Sequence, residues 1–185
     1  MLIPEELRPE LAAGEQIIWS GKPRQGLTLR GSDVFAIPFS LFFAGFSVFW
    51  MHSAASSGAP LPFVLFGVPF VLVGLYLVLG RFFVEAKQRT ETFYAVTPHR
   101  VIIRSGIFSK SVKSLPLKTL QDLSLSERPD GTGTITFGAQ HPMASMFGGM
   151  PGWPGMDQHL GPRFDLIPQA RSVYESIRKA QASAA

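Results

Sequence analysis

APLPFVLFGVPFVLVGLYLVLG, residues 59–80, decides the fold of this chain, because its twenty-two consecutive residues carry no charge. A second apolar run, VFAIPFSLFFAGFSVFWM, occupies residues 34–51 and is eighteen residues long. A helix needs about 20 mostly apolar residues to cross a hydrocarbon core about 30 Å thick. The two runs therefore predict a hairpin of two transmembrane helices within residues 33–83.

The distribution of charge supports this interpretation. The chain has 17 Lys and Arg and 13 Asp and Glu, yet residues 31–80 contain one charged residue, Asp33. A protein this small has too little polar mass to bury both runs completely in a soluble fold. The prolines within the runs are tolerated in membrane helices, where neighbouring groups satisfy the carbonyls that a proline frees.

The flanks of the two runs predict an orientation. The connecting segment, HSAASSGA at residues 52–59, has no Lys or Arg. Cations lie instead on the outer flanks, at Lys22, Arg24, Arg30, Arg81, Lys87 and Arg89. The positive-inside rule then places both termini in the cytoplasm. We expect the chain in the cytoplasmic (inner) membrane of a bacterium.

The remaining sequence predicts a cytoplasmic domain at residues 84–185. RVIIRSG alternates, so that Val101 and Ile103 point to one face while Arg100, Ile102 and Arg104 point to the other. An Asp-Gly turn signal follows in RPDGTG, and TITFG is expected to be the return strand.

The two ends of the chain complete that domain. Ala170, Val173, Tyr174 and Ile177 have the spacing of one helical face, and Pro168 is expected to be the first residue of this helix. Residues 1–32 form a cytoplasmic N-terminal segment. Its QIIW stretch is predicted to add a further strand to the domain, with Trp19 packed into it.

Five stretches in order resemble the bacterial pleckstrin-homology-like (bPH) domain family. They are GEQIIWSGKP (14–23), YAVTPHRVIIRSG (94–106), LPLKTLQDLSL (115–125), DGTGTITF (130–137) and FDLIPQARSVYESI (164–177). The resemblance implies a membrane α-hairpin followed by a mainly-β, PH-like split barrel that a C-terminal α-helix caps. It also implies a role in binding, scaffolding or assembly.

The sequence gives no sign of catalysis. It has no cysteine, and its four histidines do not have the HExxH spacing. The chain also has no GxSxG motif of serine hydrolases and no P-loop motif. We therefore expect a protein that is not an enzyme and has no cofactor. Nucleic acid is not an expected partner either, because the basic residues are not interleaved with aromatic residues in a recognisable motif.

A group of basic residues in the first predicted strands is a candidate membrane-facing surface. Its members, predicted to face anionic lipid, are Arg100, Arg104, Lys110 and Lys113. A juxtamembrane Lys or Arg gains about 1 kcal/mol near an anionic leaflet. The alternative is that these residues are solvated strand faces that discourage edge pairing.

A long loop rich in Gly, Pro and Met, at residues 138–163, is the second candidate site. Its predicted contacts with a partner or the membrane are Met143, Met146, Phe147, Met150, Trp153 and Met156. Methionine is common on adaptable binding surfaces. Two alternatives stay open: a Cu(I) site that also uses His141 and His159, and a disordered insertion.

The sequence thus favours a non-enzymatic, membrane-anchored scaffold or an accessory or assembly subunit of a membrane protein complex. Its expected partners are the lipid bilayer and either another membrane protein complex or a second copy of the chain. A second hypothesis is lipid or small-ligand binding by the PH-like domain, and a third is copper handling by the loop.

Overall fold

The computed structural model describes residues 4–29, 33–107, 109–120, 122–138 and 161–184. These residues form two compact units. One contains the two apolar helices up to residue 85, and the last residues of the second helix, from residue 86, belong to the other unit. The other contains the sheets and the C-terminal helix, together with the N-terminal segment up to residue 26. Two long apolar helices, antiparallel sheets and a C-terminal helix confirm the outline predicted from the sequence.

The first apolar helix, α1, spans Asp33–Ser56. The second is helical from Leu61 to Thr90 and has four parts: α2 (Leu61–Leu65), α3 (Val68–Leu75), a π-helical turn (Tyr76–Gly80) and α4 (Arg81–Thr90). Pro69 lies in the first turn of α3, where its missing N–H costs nothing, which explains the break after α2. Both helices are long and apolar enough to cross a membrane, and only 11% of the most apolar window of each is buried.

Small residues hold α1 and α3 together. A Cβ atom added at Gly74 would lie 2.8 Å from the Cα of Ala44, so the two backbones touch. Ser40 and Ser47, which are also buried, donate their hydroxyl hydrogen bonds back to carbonyls of α1. Small residues allow close helix packing in lipid, where the hydrophobic effect does not drive helices together.

The larger sheet has four antiparallel strands in the order β1 (Trp19–Gly21), β2 (Phe93–Val96), β3 (Arg100–Ser105) and β4 (Ser111–Pro116). Trp19 pairs with Val96, so the N-terminal segment supplies an edge strand. Val101 and Ile103 point into the main core, while Ile102 points to the opposite face, as the alternation predicts.

The smaller sheet has three antiparallel strands, β5 (Leu123–Glu127), β6 (Gly133–Phe137) and β7 (Arg163–Ile167). The C-terminal helix, α5, spans Ala170–Ala184. Its apolar stripe enters the core that the two sheets enclose, and Gln181 donates hydrogen bonds to the carbonyls of Leu117 and Leu120. The helix therefore caps this core.

Phe164 is the centre of the main core. Its ring lies 4.5 Å from the ring of Tyr94, 4.9 Å from that of Phe137 and 5.6 Å from that of Trp19. Aromatic pairs at such distances stabilise a core beyond the area that they bury. Trp19 thus packs into the domain, and the three contacts join both sheets through one side chain.

The outer face of the four-stranded sheet is also covered. A 3₁₀ helix at Glu5–Glu10 brings Leu7, which is fully buried, against Phe93, Ala95 and Ile102. β2 is consequently buried along its whole length on both faces. The N-terminal segment, residues 4–18, therefore acts as a strap across the sheet.

One local prediction was wrong. Pro168 does not begin α5; the helix begins at Ala170. Gln169 has a φ of 51°, in the left-handed region, so Pro168 and Gln169 form a turn before the helix. The turn follows an irregularity in the pairing of β6 with β7, where Leu166 has a φ of 49°.

Gly74→Val tests the packing of the two apolar helices. The added side chain would overlap Ala44, and such overpacking costs about 1–3 kcal/mol. We expect a lower midpoint of thermal unfolding in detergent, measured by helical circular dichroism. Gly45→Val is the control, because no atom lies within 4 Å of a Cβ added there. Equal midpoints for the two variants would contradict the close approach at Gly74.

Candidate functional site

Arg100 and Glu15 form the most elaborate polar cluster among the described residues of the domain. The guanidinium donates two hydrogen bonds to the carboxylate, from Nε to Oε1 at 2.9 Å and from Nη2 to Oε2 at 2.6 Å. Nη2 also donates to the carbonyl of Glu10 at 2.9 Å. Thr97, which is fully buried, donates to Glu15 Oε1 at 2.8 Å. Bidentate arginine–carboxylate pairs of this kind are strong, and they fix the relative orientation of the two side chains.

This cluster also fixes the charge of Glu15. The hydrogen bonds from Arg100 lower the pKa of Glu15 from 4.5 to about 2, although burial acts in the opposite direction. The backbone N–H of Ala12, at 2.8 Å, and the Thr97 hydroxyl add to the lowering. Glu15 therefore stays ionised at any pH that a cell reaches, and the strap is fastened by a permanent ion pair.

Arg104 is also engaged with the strap, because its guanidinium donates a hydrogen bond to the carbonyl of Glu6. The structure thus brings two of the four predicted lipid-facing residues, Arg100 and Arg104, onto the N-terminal segment. It places Lys113 on β4 and Lys110 immediately before that strand, and both lysines are exposed. The contact of these four residues with anionic lipid stays a prediction.

β4 is an exposed edge strand that follows those arginines. Five of its six residues are exposed, all except Leu115, and it lies at the end of the strand order. Its register with β3 is regular over all six residues, from Arg100 opposite Pro116 to Ser105 opposite Ser111. The strand therefore offers one straight edge to a partner.

The helical unit carries a second exposed surface, on α1. Five phenylalanines follow one another at spacings of four, three, four and three residues: Phe35, Phe39, Phe42, Phe46 and Phe49. Their exposed fractions range from 55% to 81%. At 100° per residue these positions lie on the face opposite Ser40, Ala44 and Ser47, which pack towards α3. We call this surface the aromatic face.

An ion pair lies between residues at one end of each apolar helix. Arg81 Nη2 is 2.9 Å from Asp33 Oδ1, and both side chains are about nine-tenths buried. A buried charge is costly unless it has a partner, so each residue of this pair requires the other. The pair joins the start of α1 to the start of α4.

An aromatic groove of about 280 Å³ lies in the same unit. It is lined by Phe43, Phe46, Ser47, Trp50, Phe66 and Phe70. The lining is almost entirely apolar, and the hydroxyl of Ser47 already donates to the carbonyl of Phe43. The groove suits an apolar ligand, with no charged group among its lining residues.

The predicted loop contacts, Met143, Met146, Phe147, Met150, Trp153 and Met156, lie outside the described residues. The same holds for His141 and His159, so the contact surface and the copper alternative stay predictions. Within the described ranges, no three His, Asp or Glu side chains converge in a way that would hold a metal ion.

The sequence did not single out Glu15 or Asp33 as functional, although the structure pairs each of them with an arginine. Glu15 lies in the GEQIIWSGKP stretch and Arg100 in YAVTPHRVIIRSG, two of the stretches that carry the resemblance. Eighty-five positions separate them. Asp33 had a stronger signal, because it is the one charge in residues 31–80.

Comparison with known proteins agrees with this fold. Two packed antiparallel sheets capped by a C-terminal helix are the arrangement expected of a PH-like module. The family model described as bacterial PH domain matches residues 41–181, which is more than half of the chain. The chain therefore belongs to the bacterial PH domain family.

A relative comes from Rhodobacter capsulatus, where it is named "Uncharacterized 23.7 kDa protein in puhA 5'region". It is 30% identical over 168 residues, which cover 86% of this chain and 72% of the relative. No solved structure gave a significant match.

Glu15→Gln tests the strap. The variant loses the ion pair with Arg100, and breaking a largely buried pair of this kind should cost about 1–3 kcal/mol at pH 7. Because the pKa of Glu15 is lowered, its contribution is complete above pH 4.5 and is lost as the pH falls from 4.5 to about 2. We measure the hydrogen-exchange protection of β2 and β3 in the variant and in the unaltered chain. The difference in protection between the two should become smaller as the pH falls over that interval.

Glu127→Gln is the matched control for the strap. Its partner, Arg171, has 69% of its side chain exposed, and exposed pairs contribute about 0–1 kcal/mol. A pH-independent effect of Glu15→Gln, or an equal effect of the two variants at pH 7, would show that the ion pair does not fasten the strap.

Proposed function

We propose that this chain is a non-enzymatic, membrane-anchored scaffold or accessory subunit that assembles with another membrane protein. The observation that carries the proposal is the aromatic face of α1. The two apolar helices already pack against each other through Gly74 and Ala44, on the opposite side of α1. Apart from Phe46, which also lines the aromatic groove, the phenylalanines are therefore not needed to hold the hairpin together.

The spacing of the aromatic face supports contact with another helix. An apolar repeat of alternating four and three residues is the pattern by which one helix inserts side chains between those of a neighbour. Phenylalanine buries a large area at such a contact, and aromatic residues are common among those that dominate interface energies. Lipid alone does not require this repeat.

The orientation is part of the proposal and has a topological argument. β1 precedes both apolar helices, whereas its partner β2 follows them. The two strands can pair only if both lie on the same side of a membrane, so the chain must cross it an even number of times. Together with the basic flanks, this supports two crossings, with both termini in the cytoplasm of a bacterium.

The absence of an enzymatic role is also a proposal. The bacterial PH domain family has modules that generally bind rather than catalyse. In the described part of the domain, the best-formed polar cluster uses its hydrogen-bonding groups structurally: Arg100 bonds to Glu15 and Glu10 of the strap and to Ser114 of β4. This arrangement stabilises the fold and leaves Glu15 too acidic to accept a proton near neutral pH.

Lipid or small-ligand binding is the second proposed function, and one observation favours it. The groove of about 280 Å³ between Trp50 and Phe70 is close in size to the smaller ligand pockets of proteins. That groove lies in the apolar hairpin, whereas the sequence suggested the PH-like domain as the binding part. Copper handling by the loop has no comparable support among the described residues.

A triple substitution tests the first proposal. Phe35→Ala, Phe42→Ala and Phe49→Ala together remove three exposed rings of the aromatic face at intervals of seven residues. We expect the amount of partner that co-purifies with the tagged chain in mild detergent to fall about tenfold or more, because each truncated aromatic anchor costs about 1–2 kcal/mol. Quantitative mass spectrometry of the native particle measures this.

The matched control is Leu65→Ala, Leu72→Ala and Leu79→Ala, which removes exposed apolar side chains at the same spacing from the second helix. Equal recovery of partner with the two triple variants, or a particle that contains only this chain, would contradict the proposal. The search for partners should include the product of puhA where the genome has that gene, because the relative is named for its position beside it.

A further inference from the structure

We propose that the exposed edge of β4, which pairs with no further strand among the described residues, binds an extended, acidic segment of the partner protein as an added antiparallel strand. This inference rests on the proposed scaffold function and names the part of the PH-like domain that would recognise the partner. Adding a strand to an exposed sheet edge is an established way for proteins to bind peptides, because backbone hydrogen bonds supply affinity and side chains supply specificity.

The hydrogen-bonding register shows which groups the edge offers. The N–H of Leu117 bonds to the carbonyl of His99, while the N–H of Thr97 bonds to the carbonyl of Arg100. Since antiparallel pairs alternate in bonding, odd-numbered residues of β4 bond to β3. The N–H and C=O of Val112 and Ser114 therefore point away from β3, towards the edge.

This edge lacks several of the features that usually protect an edge strand. Proteins discourage edge pairing with short strands, prolines, bulges and charged residues. β4 has six residues in regular register, and its proline, Pro116, is at the far end. The opposite edge of the same sheet, β1, has only three residues. Of the usual protections, β4 keeps only Lys113 and the terminal Pro116.

The charge around β4 specifies the partner. Lys110, Lys113 and Lys118 are exposed, and no Asp or Glu occurs in residues 105–121. Opposite charges on paired strands contribute about 0.2–1 kcal/mol for each pair, and like charges facing each other are destabilising. Acidic residues on the incoming strand would therefore be favoured, especially opposite Lys113.

The same charges disfavour the other occupants. If two copies paired through β4 with Val112 of one opposite Ser114 of the other, Lys113 of one copy would face Lys113 of the other. An anionic membrane would attract the lysines, yet it would leave the backbone groups of Val112 and Ser114 to water. An acidic strand satisfies both the lysines and the backbone groups.

A labelled peptide tests the inference without a known partner. The probe is fluorescein-labelled Thr-Glu-Val-Glu-Val-Glu-Thr, with versions that carry Gln or Lys in place of Glu. Binding to the full chain in nanodiscs of zwitterionic lipid is measured by fluorescence anisotropy. We expect saturable binding, about fivefold tighter for the Glu peptide than for the Gln peptide if two pairs at about 0.5 kcal/mol each contribute.

Two variants separate strand pairing from simple charge attraction. Val112→Pro removes an N–H that points away from β3, so the sheet itself is preserved. It should weaken binding of the Glu peptide about five- to tenfold, because one backbone hydrogen bond is lost and the peptide can no longer approach the strand closely. Val112→Ala keeps the N–H, so its affinity for the Glu peptide should stay within about twofold of that of the unaltered chain. Lys110→Glu combined with Lys113→Glu should reverse the preference, so that the Lys peptide binds more tightly than the Glu peptide.

The outcomes decide the inference separately from the proposed function. No saturable binding, no effect of Val112→Pro, or no reversal by the two lysine substitutions would each overturn it. If the Val112→Pro chain still recovers its membrane partner in full and no peptide binds, the edge inference fails while the scaffold function stands. If the peptides behave as expected but no membrane partner co-purifies, the edge stands and the proposed scaffold function fails.

Discussion

The ion pair between Glu15 and Arg100 is the constraint on which the rest of the domain depends. It joins a segment that precedes both apolar helices to a strand that follows them. Once that segment lies across the sheet, Leu7 can cover Ile102, Phe93 and Ala95, which would otherwise be an exposed apolar patch. The strap also leads directly into β1, so the pair positions Trp19 for its contact with Phe164.

The strap also determines which charged side chains of the domain remain exposed. Arg100 and Arg104 donate hydrogen bonds to the N-terminal segment, so these two guanidinium groups are already engaged within the domain. Lys110, Lys113 and Lys118 stay exposed around β4, in a stretch, residues 105–121, that has no Asp or Glu. Among the described residues, the domain thus presents a polar, basic edge, while the helical unit presents an apolar, aromatic face.

Much of the outline followed from the sequence because it depends on local pattern. The uncharged runs gave the two helices, and the alternation in RVIIRSG correctly separated Val101 and Ile103 from Ile102. The Asp-Gly turn of β5 and β6 and the apolar stripe of α5 are equally local signals. Such features are encoded within a few residues and need no knowledge of distant contacts.

The site was harder to predict because it depends on contacts between distant residues. A strand arginine such as Arg100 normally points to solvent or to a lipid surface, and only the strap, eighty-five positions earlier, changes that. The aromatic face was visible in the sequence as a run of phenylalanines. The sequence did not show that this face is exposed, because that depends on which side of α1 packs against α3. The contact between Ala44 on α1 and Gly74 on α3 determines which side is covered.

The pairing of β1 with β2 also has a consequence for how the protein is made. A ribosome completes β1 before either apolar helix, and completes its partner strand only after both. At a usual synthesis rate the first strand waits on the order of ten seconds for the second. During that interval the hairpin is emerging, and the strap has no sheet to cover. The domain can therefore close only after the ribosome has synthesised both apolar helices.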